Sequence, residues 1–246
     1  MNFLYKYLNR IECKTAYAQG KGYGTATIKQ EVKLVLQLLK ENPVLAIDIG
    51  GNIGEYTAEL RRTNPSLEVH IFEPSATNIE KLKRRFVSDK NIKLAPRAVS
   101  DISGSTSLFS NKPGSGLASL TKRKLDHLNI PFDFKESIDT VRFEDYWTNE
   151  LNKRHMDIVK LDIEGHELAA LKGFGEAIKD TSVVQFEFGG CNIDTRTYFQ
   201  DFWYYFKDKN FEIFRITPLG LEKIERYRES DEFFSTTNYI AVNQGR

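Results

Sequence analysis

Residues 44–54 read VLAIDIGGNIG, an apolar run that meets one acid and then breaks into glycines. Residues 44–49 are short, apolar and partly β-branched, which predicts a buried parallel strand, and the glycines after them permit a tight strand-to-helix turn. Gly50, Gly51 and Gly54 can bring bare backbone against a ligand, and Asp48 stands at the carboxyl end of the strand, where open α/β sheets bind their ligands. The spacing excludes two common phosphate loops. A dinucleotide fingerprint needs G-x-G-x-x-G, but counting from Gly50 puts Asn52 and Glu55 where its second and third glycines belong. No Gly-Lys-Ser/Thr follows either, so a Walker loop is absent.

What remains is D-x-G-x-N-x-G over Asp48, Gly50, Asn52 and Gly54. Nineteen residues after Gly54, Glu73 ends a second apolar strand in EVHIFEP. A carboxylate at that strand end can accept hydrogen bonds from both hydroxyls of a ribose and would repel a 2′-phosphate.

A chain of 246 residues suits one substantial α/β domain. Its 35 Lys and Arg nearly cancel its 34 Asp and Glu, so net charge lends no support to nucleic acid as a partner. Cys13 and Cys191 are too few for a disulfide framework and form no C-x-x-C pair, which fits a reduced, cytoplasmic setting. No apolar run approaches the roughly 18 residues that cross a bilayer. The first residues also lack the continuous apolar core of a signal peptide.

Taken in order, residues 3–11 place Phe3, Leu4, Tyr7, Leu8 and Ile11 at helical spacing around Lys6 and Arg10. This predicts a short amphipathic helix packed as a cap on its own domain, with contact to a membrane surface or a partner as the alternative. A second helix is expected from Thr27, with Ile28, Val32, Val35, Leu36 and Leu39 on one face and an end before Pro43. A further helix should turn Ile79, Leu82 and Phe86 inward and leave Lys81, Lys83, Arg84 and Arg85 solvated. Residues 91–99 read as a third strand. Residues 104–136 are the least regular part of the chain, and their Gly, Ser and Pro content makes them a candidate lid beside the site.

Residues 156–161 predict another buried strand, which runs into Asp162-Ile163-Glu164-Gly165-His166-Glu167. Three carboxylates and an imidazole thus share one strand-to-helix junction. Glu167 suits a helix N-terminus, where acids complement the dipole. Asp162 and Glu164 leave the strand on the ligand edge of the sheet. Residues 183–188 form a fifth strand with Glu187 near its end. Tyr198, Phe199, Phe202, Trp203 and Phe206 then make a mostly core-facing stripe, and residues 211–216 and 239–243 close the sheet.

With IDIGGNIGEYT, HIFEP, AVSDISGS, KLDIEGHELAALKGF and VQFEF in this order, the chain resembles the FkbM family of methyltransferases over about residues 44–242. The pairing of IFEP with KLDIEGHE carries the resemblance; the glycine turn alone would not. It implies a doubly wound, Rossmann-like class I α/β fold, with a mostly parallel seven-stranded sheet whose last strand is antiparallel. Residues 1–43 would form an N-terminal helical cap and residues 44–246 the methyltransferase domain. The implied cofactor is S-adenosylmethionine, and the implied acceptor is a hydroxyl of a sugar, a glycan or a small natural product. No nucleic acid, membrane span or metal ligand set is assigned.

On that resemblance Asp48, Gly50, Asn52, Gly54 and Glu73 bind the cofactor. The acid that often accepts from the adenine amine is replaced by Ala98, so backbone at Ala98 and Val99, or Asp101, takes its place. Asp162 is assigned to the sulfonium end and Glu164 to the acceptor hydroxyl, with His166 or Glu187 as the base that accepts the hydroxyl proton. Two other classes stand beside this. An NAD-type oxidoreductase lacks its glycine spacing here, and a catalytically silent cofactor-binding module would keep Asp48 and Glu73 without an acceptor pocket.

Overall fold

The computed structural model describes residues 3–245. Helices α1 (Phe3–Ala18) and α2 (Ile28–Leu38) precede β1 (Leu45–Ile49), α3 (Glu55–Thr63), β2 (Glu68–Phe72), α4 (Ala76–Arg85) and β3 (Ile92–Ala95). The chain then makes β4 (Ala98–Ser100), β5 (Gly104–Ser110), β6 (Phe134–Arg142), α5 (Phe143–Asn149), β7 (Met156–Leu161) and α6 (Glu167–Gly173). It ends with β8 (Thr181–Phe188), α7 (Cys191–Thr195), α8 (Phe199–Lys207), β9 (Phe211–Thr217), β10 (Gly220–Lys223) and β11 (Thr237–Asn243).

The main sheet has the order β10-β9-β11-β8-β7-β1-β2-β3. Strands β3, β2, β1, β7 and β8 pair in parallel, and β11 runs antiparallel to both β8 and β9. This is the doubly wound class I arrangement, with the direction of winding reversing between β1 and β7, the place where such sheets bind ligands. β1 has no exposed residue, because helices cover both faces of the sheet. One core cluster holds Ile47, Ile49, Phe72, Phe143, Phe174 and Phe186, another holds Val35, Ala46, Leu60, Val69, Leu82 and Ile158, and a small third joins Ala98, Leu108 and Ile138. Ile47 and Ala46 thus face opposite sides, as strand geometry requires.

Four expectations are corrected. The sheet has an eighth strand, β10, a four-residue edge strand hairpinned onto β9 whose two charged residues hide it from an apolar pattern. The third strand is split: Pro96 has no N–H to donate to a ladder, and after it β4 leaves the main sheet to pair with β6. Residues 104–136 are in part regular, since β4, β6 and β5 form a separate three-stranded sheet and only the connection between β5 and β6 is irregular.

The fourth concerns α1, which runs sixteen residues rather than nine and is no packed cap: Phe3, Leu4, Tyr7, Leu8 and Ile11 are all exposed, and Ala16 is the helix's buried residue. Segment 19–31 does pack on the body. Gly20 sits at φ +86°, and a Cβ there would lie 2.5 Å from the Ile216 carbonyl. No helix of the described residues is long and apolar enough to cross a membrane.

Candidate functional site

The glycine turn after β1 is built by close approach. Gly50 has φ +82°, and a Cβ on it would stand 1.9 Å from the Asp162 carbonyl oxygen, so side chains are excluded where β1 and β7 diverge. A Cβ on Gly51 would lie 2.2 Å from Ile71 Cγ2. Asn52 takes a left-handed φ of +48°, and its N–H donates to Glu73 Oε2 at 2.8 Å. Glu73 Oε1 accepts from the Ser75 N–H at 2.9 Å, so the carboxylate ties the ends of β1 and β2 together. Burial pushes the Glu73 carboxyl up to about 7, against the pull of these two backbone donors.

A first cavity, about 550 Å³ including its open mouth, opens above this turn. Gly50 and Asn52 form its floor, Glu73 and Pro74 one side, and Ala98 and Val99 another. The connection between β5 and β6 covers it with Ser115, Gly116, Ala118, Ser119 and Leu120. That cover is tied down: Phe109 and Ser119 exchange backbone hydrogen bonds of 2.8 and 2.9 Å, and Ser119 Oγ donates to the Glu164 carbonyl at 2.8 Å. Arg123 donates to Glu164 Oε2, and its Nε stands 3.5 Å from Asp194 Oδ2.

A second cavity, about 1030 Å³ including its open mouth, shares Gly50, Asn52, Asp162 and Glu164 with the first. Its other walls come from Gly24, Glu31, Tyr56, Lys160, Glu187 and Asn238, which lie far apart in the chain. Lys160 is directly opposite Asp48 in the β1–β7 register, and its Nζ reaches Asp162 Oδ2 at 3.2 Å and Asp48 Oδ1 at 3.6 Å. Burial opposes its charge, but Asp162, Asp48 and Glu31 outweigh that and raise its pKa. The wall continues as a chain of buried hydrogen bonds. Tyr56 Oη donates to Gln185 Oε1 at 2.9 Å, Gln185 Nε2 to Glu31 Oε2 at 2.6 Å, and Thr27 Oγ1 to Glu31 Oε1 at 2.5 Å.

The acids around the Asp162–Glu167 turn differ in role. Glu164 takes φ +54° and Gly165 +98°, which turns the Glu164 side chain to Arg123 while its backbone stays under the cover. Burial, then the Asp162 charge, raises the Glu164 carboxyl to about 8. Glu167 is wholly buried, and its Oε1 accepts from Ile163 and Gly165 N–H at 2.9 and 3.2 Å, which shapes the turn from below. Burial raises Glu187 well above the carboxylate range, and Asp162, Glu164 and Glu167 add to it. Glu164, Glu187 and Cys191 each bring one ligand atom within 4.8 Å of the others, an acid-rich corner that favours cations and hydrogen-bond donors.

The residues singled out from the sequence therefore fall into three groups. Gly50, Asn52, Glu73, Ala98, Val99, Asp162, Glu164 and His166 line the first cavity, and Glu187 lines the second. Asp48, Gly54 and Asp101 line neither. Asp48 lies fully buried under the turn, where Oδ2 accepts from Thr57 Oγ1 at 2.6 Å. Gly54 starts α3 in a left-handed conformation against Phe86, and Asp101 is exposed beside Ser100. His166 Nε2 lies 2.9 Å from Ser100 Oγ, and burial lowers its pKa, so it is held neutral beside the first cavity.

Sequence analysis gave no role to Lys160, Arg123 or Glu31. A lysine at the ligand end of a mostly apolar strand was the available signal for Lys160; Arg123 and Glu31 carried none.

A family model described as Methyltransferase FkbM domain matches residues 48–213. The chain is similar to the 2-O-methyltransferase NoeI of Sinorhizobium fredii, with 25% identity over 181 residues that cover 70% of this chain and 74% of the relative. It is also similar to Methyltransferase 1 of Beauveria bassiana, with 20% identity over 144 residues, 53% of this chain and 58% of that one. Among solved structures, the methyltransferase FkbM of Methylobacillus flagellatus is 19% identical with a TM-score of 0.48, over 83% of this chain and 45% of that one.

Proposed function

The chain belongs to the FkbM methyltransferase family, and from that premise we propose that it is an O-methyltransferase acting on a hydroxyl of a sugar, glycan or small natural product. Its methyl donor is S-adenosylmethionine, which supplies an electrophilic methyl group on a sulfonium sulfur. The first cavity fits that donor. Glu73 has carboxylate lone pairs left for ribose hydroxyls, the bare backbone at Gly50 admits a ligand chain, and Ala98, Val99 and Pro74 offer apolar faces to a base. Asp162, on the wall between the cavities, is suited to the cationic end.

The observation that carries the acceptor assignment is the shared wall. The second cavity opens off Gly50, Asn52, Asp162 and Glu164 and adds a carboxyl, Glu187, of raised proton affinity. An alcohol is a weak nucleophile, and a base whose pKa has been moved toward or above neutrality is a stronger proton acceptor once ionised. We assign Glu187 that role. His166 is set aside for it, because it lies with Ser100 beside the first cavity and does not line the second. Glu164, anchored by Arg123, holds the acceptor hydroxyl, and most of the rate comes from holding its oxygen about 3–3.5 Å from the methyl carbon. The similarity to the 2-O-methyltransferase NoeI of Sinorhizobium fredii supports oxygen as the methylated atom.

The test is transfer of a deuterated methyl group from S-adenosylmethionine to fractionated carbohydrate and small-molecule extracts. The proposal expects labelled methyl ethers on hydroxyl oxygens. Label on nitrogen or carbon would contradict it, and binding of the donor with no transfer to any fraction would instead indicate a silent module.

A further inference from the structure

The first helix carries a surface that the methyl-transfer site does not use. Successive residues on an α-helix turn by about 100°, which places Phe3, Leu4, Tyr7, Leu8 and Ile11 on one continuous stripe. These residues are 85, 58, 56, 54 and 43% exposed, so among the described residues the stripe lies largely open to solvent. Ala16, the buried residue of α1, lies on the opposite side of the helix, so the stripe points away from the body. Lys6, Arg10 and Lys14, spaced by four, run along one edge of it, against a single acid in the helix, Glu12.

The helix is also held in place at one end. Beyond Ala18, Arg215 Nη1 reaches the Gln19 carbonyl at 3.5 Å, Lys21 Nζ donates to the Ser230 carbonyl at 2.8 Å, and Gly22 N–H donates to Thr237 Oγ1 at 3.0 Å. A few residues further on, Gly24, Thr25, Ala26 and Glu31 line the second cavity.

We propose that α1 is an interfacial helix that docks the protein on an anionic lipid surface, its apolar stripe entering the boundary between headgroups and acyl chains and Lys6, Arg10 and Lys14 meeting lipid phosphates. A helix lies in such an interface when an apolar face is bordered by cations that stay with the headgroups. The cation row selects lipid over a second copy of this chain. Pairing two stripes antiparallel would bring each row of cations against its own kind, whereas acidic headgroups neutralise the row. The site's wall follows α1 by only a short pinned segment, so docking sets the second cavity near the surface. The inference rests on α1 alone and stands whether or not the acceptor assignment does.

The experiment is flotation of the full chain with phosphatidylcholine vesicles, with and without phosphatidylglycerol. The chain should float with the phosphatidylglycerol vesicles, be released by high salt, and bind pure phosphatidylcholine weakly. Lys6→Ser with Arg10→Ser should weaken binding by roughly tenfold or more, and Leu4→Glu with Leu8→Glu should abolish it. All four positions are exposed, and circular dichroism with a melting curve on each variant confirms an intact fold. Failure to bind either vesicle overturns the proposal, as does binding that ignores both salt and the loss of the cations. Concentration-dependent dimerisation without vesicle binding, removed by Leu4→Glu with Leu8→Glu, overturns it in favour of self-association.

Discussion

The two cavities share four wall residues and are made by opposite means. The first is formed mainly by backbone approach and apolar side chains around Glu73, whose oxygens are already engaged by two N–H groups, with Asp162 and Glu164 on the wall it shares with the second. The second is formed by ionisable side chains, Glu31, Lys160, Asp162, Glu164 and Glu187, delivered by α2, β7, the turn after it and β8. The difference teaches where binding and chemistry separate. A pocket walled largely by backbone and apolar faces suits a ligand held in one pose, while a crowd of ionisable groups in which burial raises the proton affinity of Glu31, Glu164 and Glu187 suits proton transfer.

The sharpest way to break that division is Glu187→Gln. If Glu187 is the base, turnover should fall by about 10²–10⁴-fold while donor affinity is kept, as kinetics with an identified acceptor would show. The same variant tests the electrostatics in the opposite direction. The folded pKa of Glu187 lies above its unfolded value, so the unfolded chain ionises first as pH rises and folding stability is lost across that interval. Glu187→Gln removes this loss. Without ligands the variant should match the wild type in strong acid and become increasingly the more stable of the two as pH rises above the ordinary carboxylate range of about 4.3, in melts at paired pH values.

Next in size is Lys160→Met. It leaves Asp48 and Asp162 without their shared cation, one of them fully buried, and removing one partner of a buried pair costs about 3–5 kcal/mol. Urea unfolding reads this as a lowered midpoint. An unchanged midpoint would mean that Lys160 is not the support of the wall.

Glu73→Gln should weaken donor binding by about 1.5–3 kcal/mol, the range for a charge-assisted hydrogen bond. His166→Ala is smaller still. It removes the contact with Ser100, so it should cost donor affinity about 0.5–1.5 kcal/mol and leave turnover at saturating donor unchanged. Lost turnover in His166→Ala with full turnover in Glu187→Gln would exchange the two roles.

Legibility in the sequence followed the same division. The strand, the glycines and Glu73 are contiguous or one strand apart, and each imposes a local geometric demand that a residue type announces: Gly50 at φ +82° against a carbonyl is one. The second cavity was only half legible. Asp162, Glu164 and Glu187 showed themselves as acids at strand ends, but Glu31 looked like one polar residue on an amphipathic helix, and its pairing with Gln185 spans 154 positions. Arg123 stands between two lysines, Lys122 and Lys124, and only the folded cover brings it to Glu164. The break in the third strand was written in Pro96 and missed because the apolar pattern continues through Ala98 and Val99. For α1, the periodicity of the stripe predicted a helix correctly, yet periodicity does not say whether the stripe faces the body or away from it.

The most direct test of the division is donor affinity measured by calorimetry on the wild type, Glu73→Gln and Glu187→Gln across neutral pH. A ribose donates to an ionised Glu73, and this carboxyl titrates at about 7, so wild-type affinity should rise as pH passes through that value. Glu73→Gln should bind more weakly and lose the rise, while Glu187→Gln should keep both the affinity and its pH dependence. Unchanged affinity in Glu73→Gln, together with a loss in Glu187→Gln, would contradict the assignment of binding to one cavity and chemistry to the other.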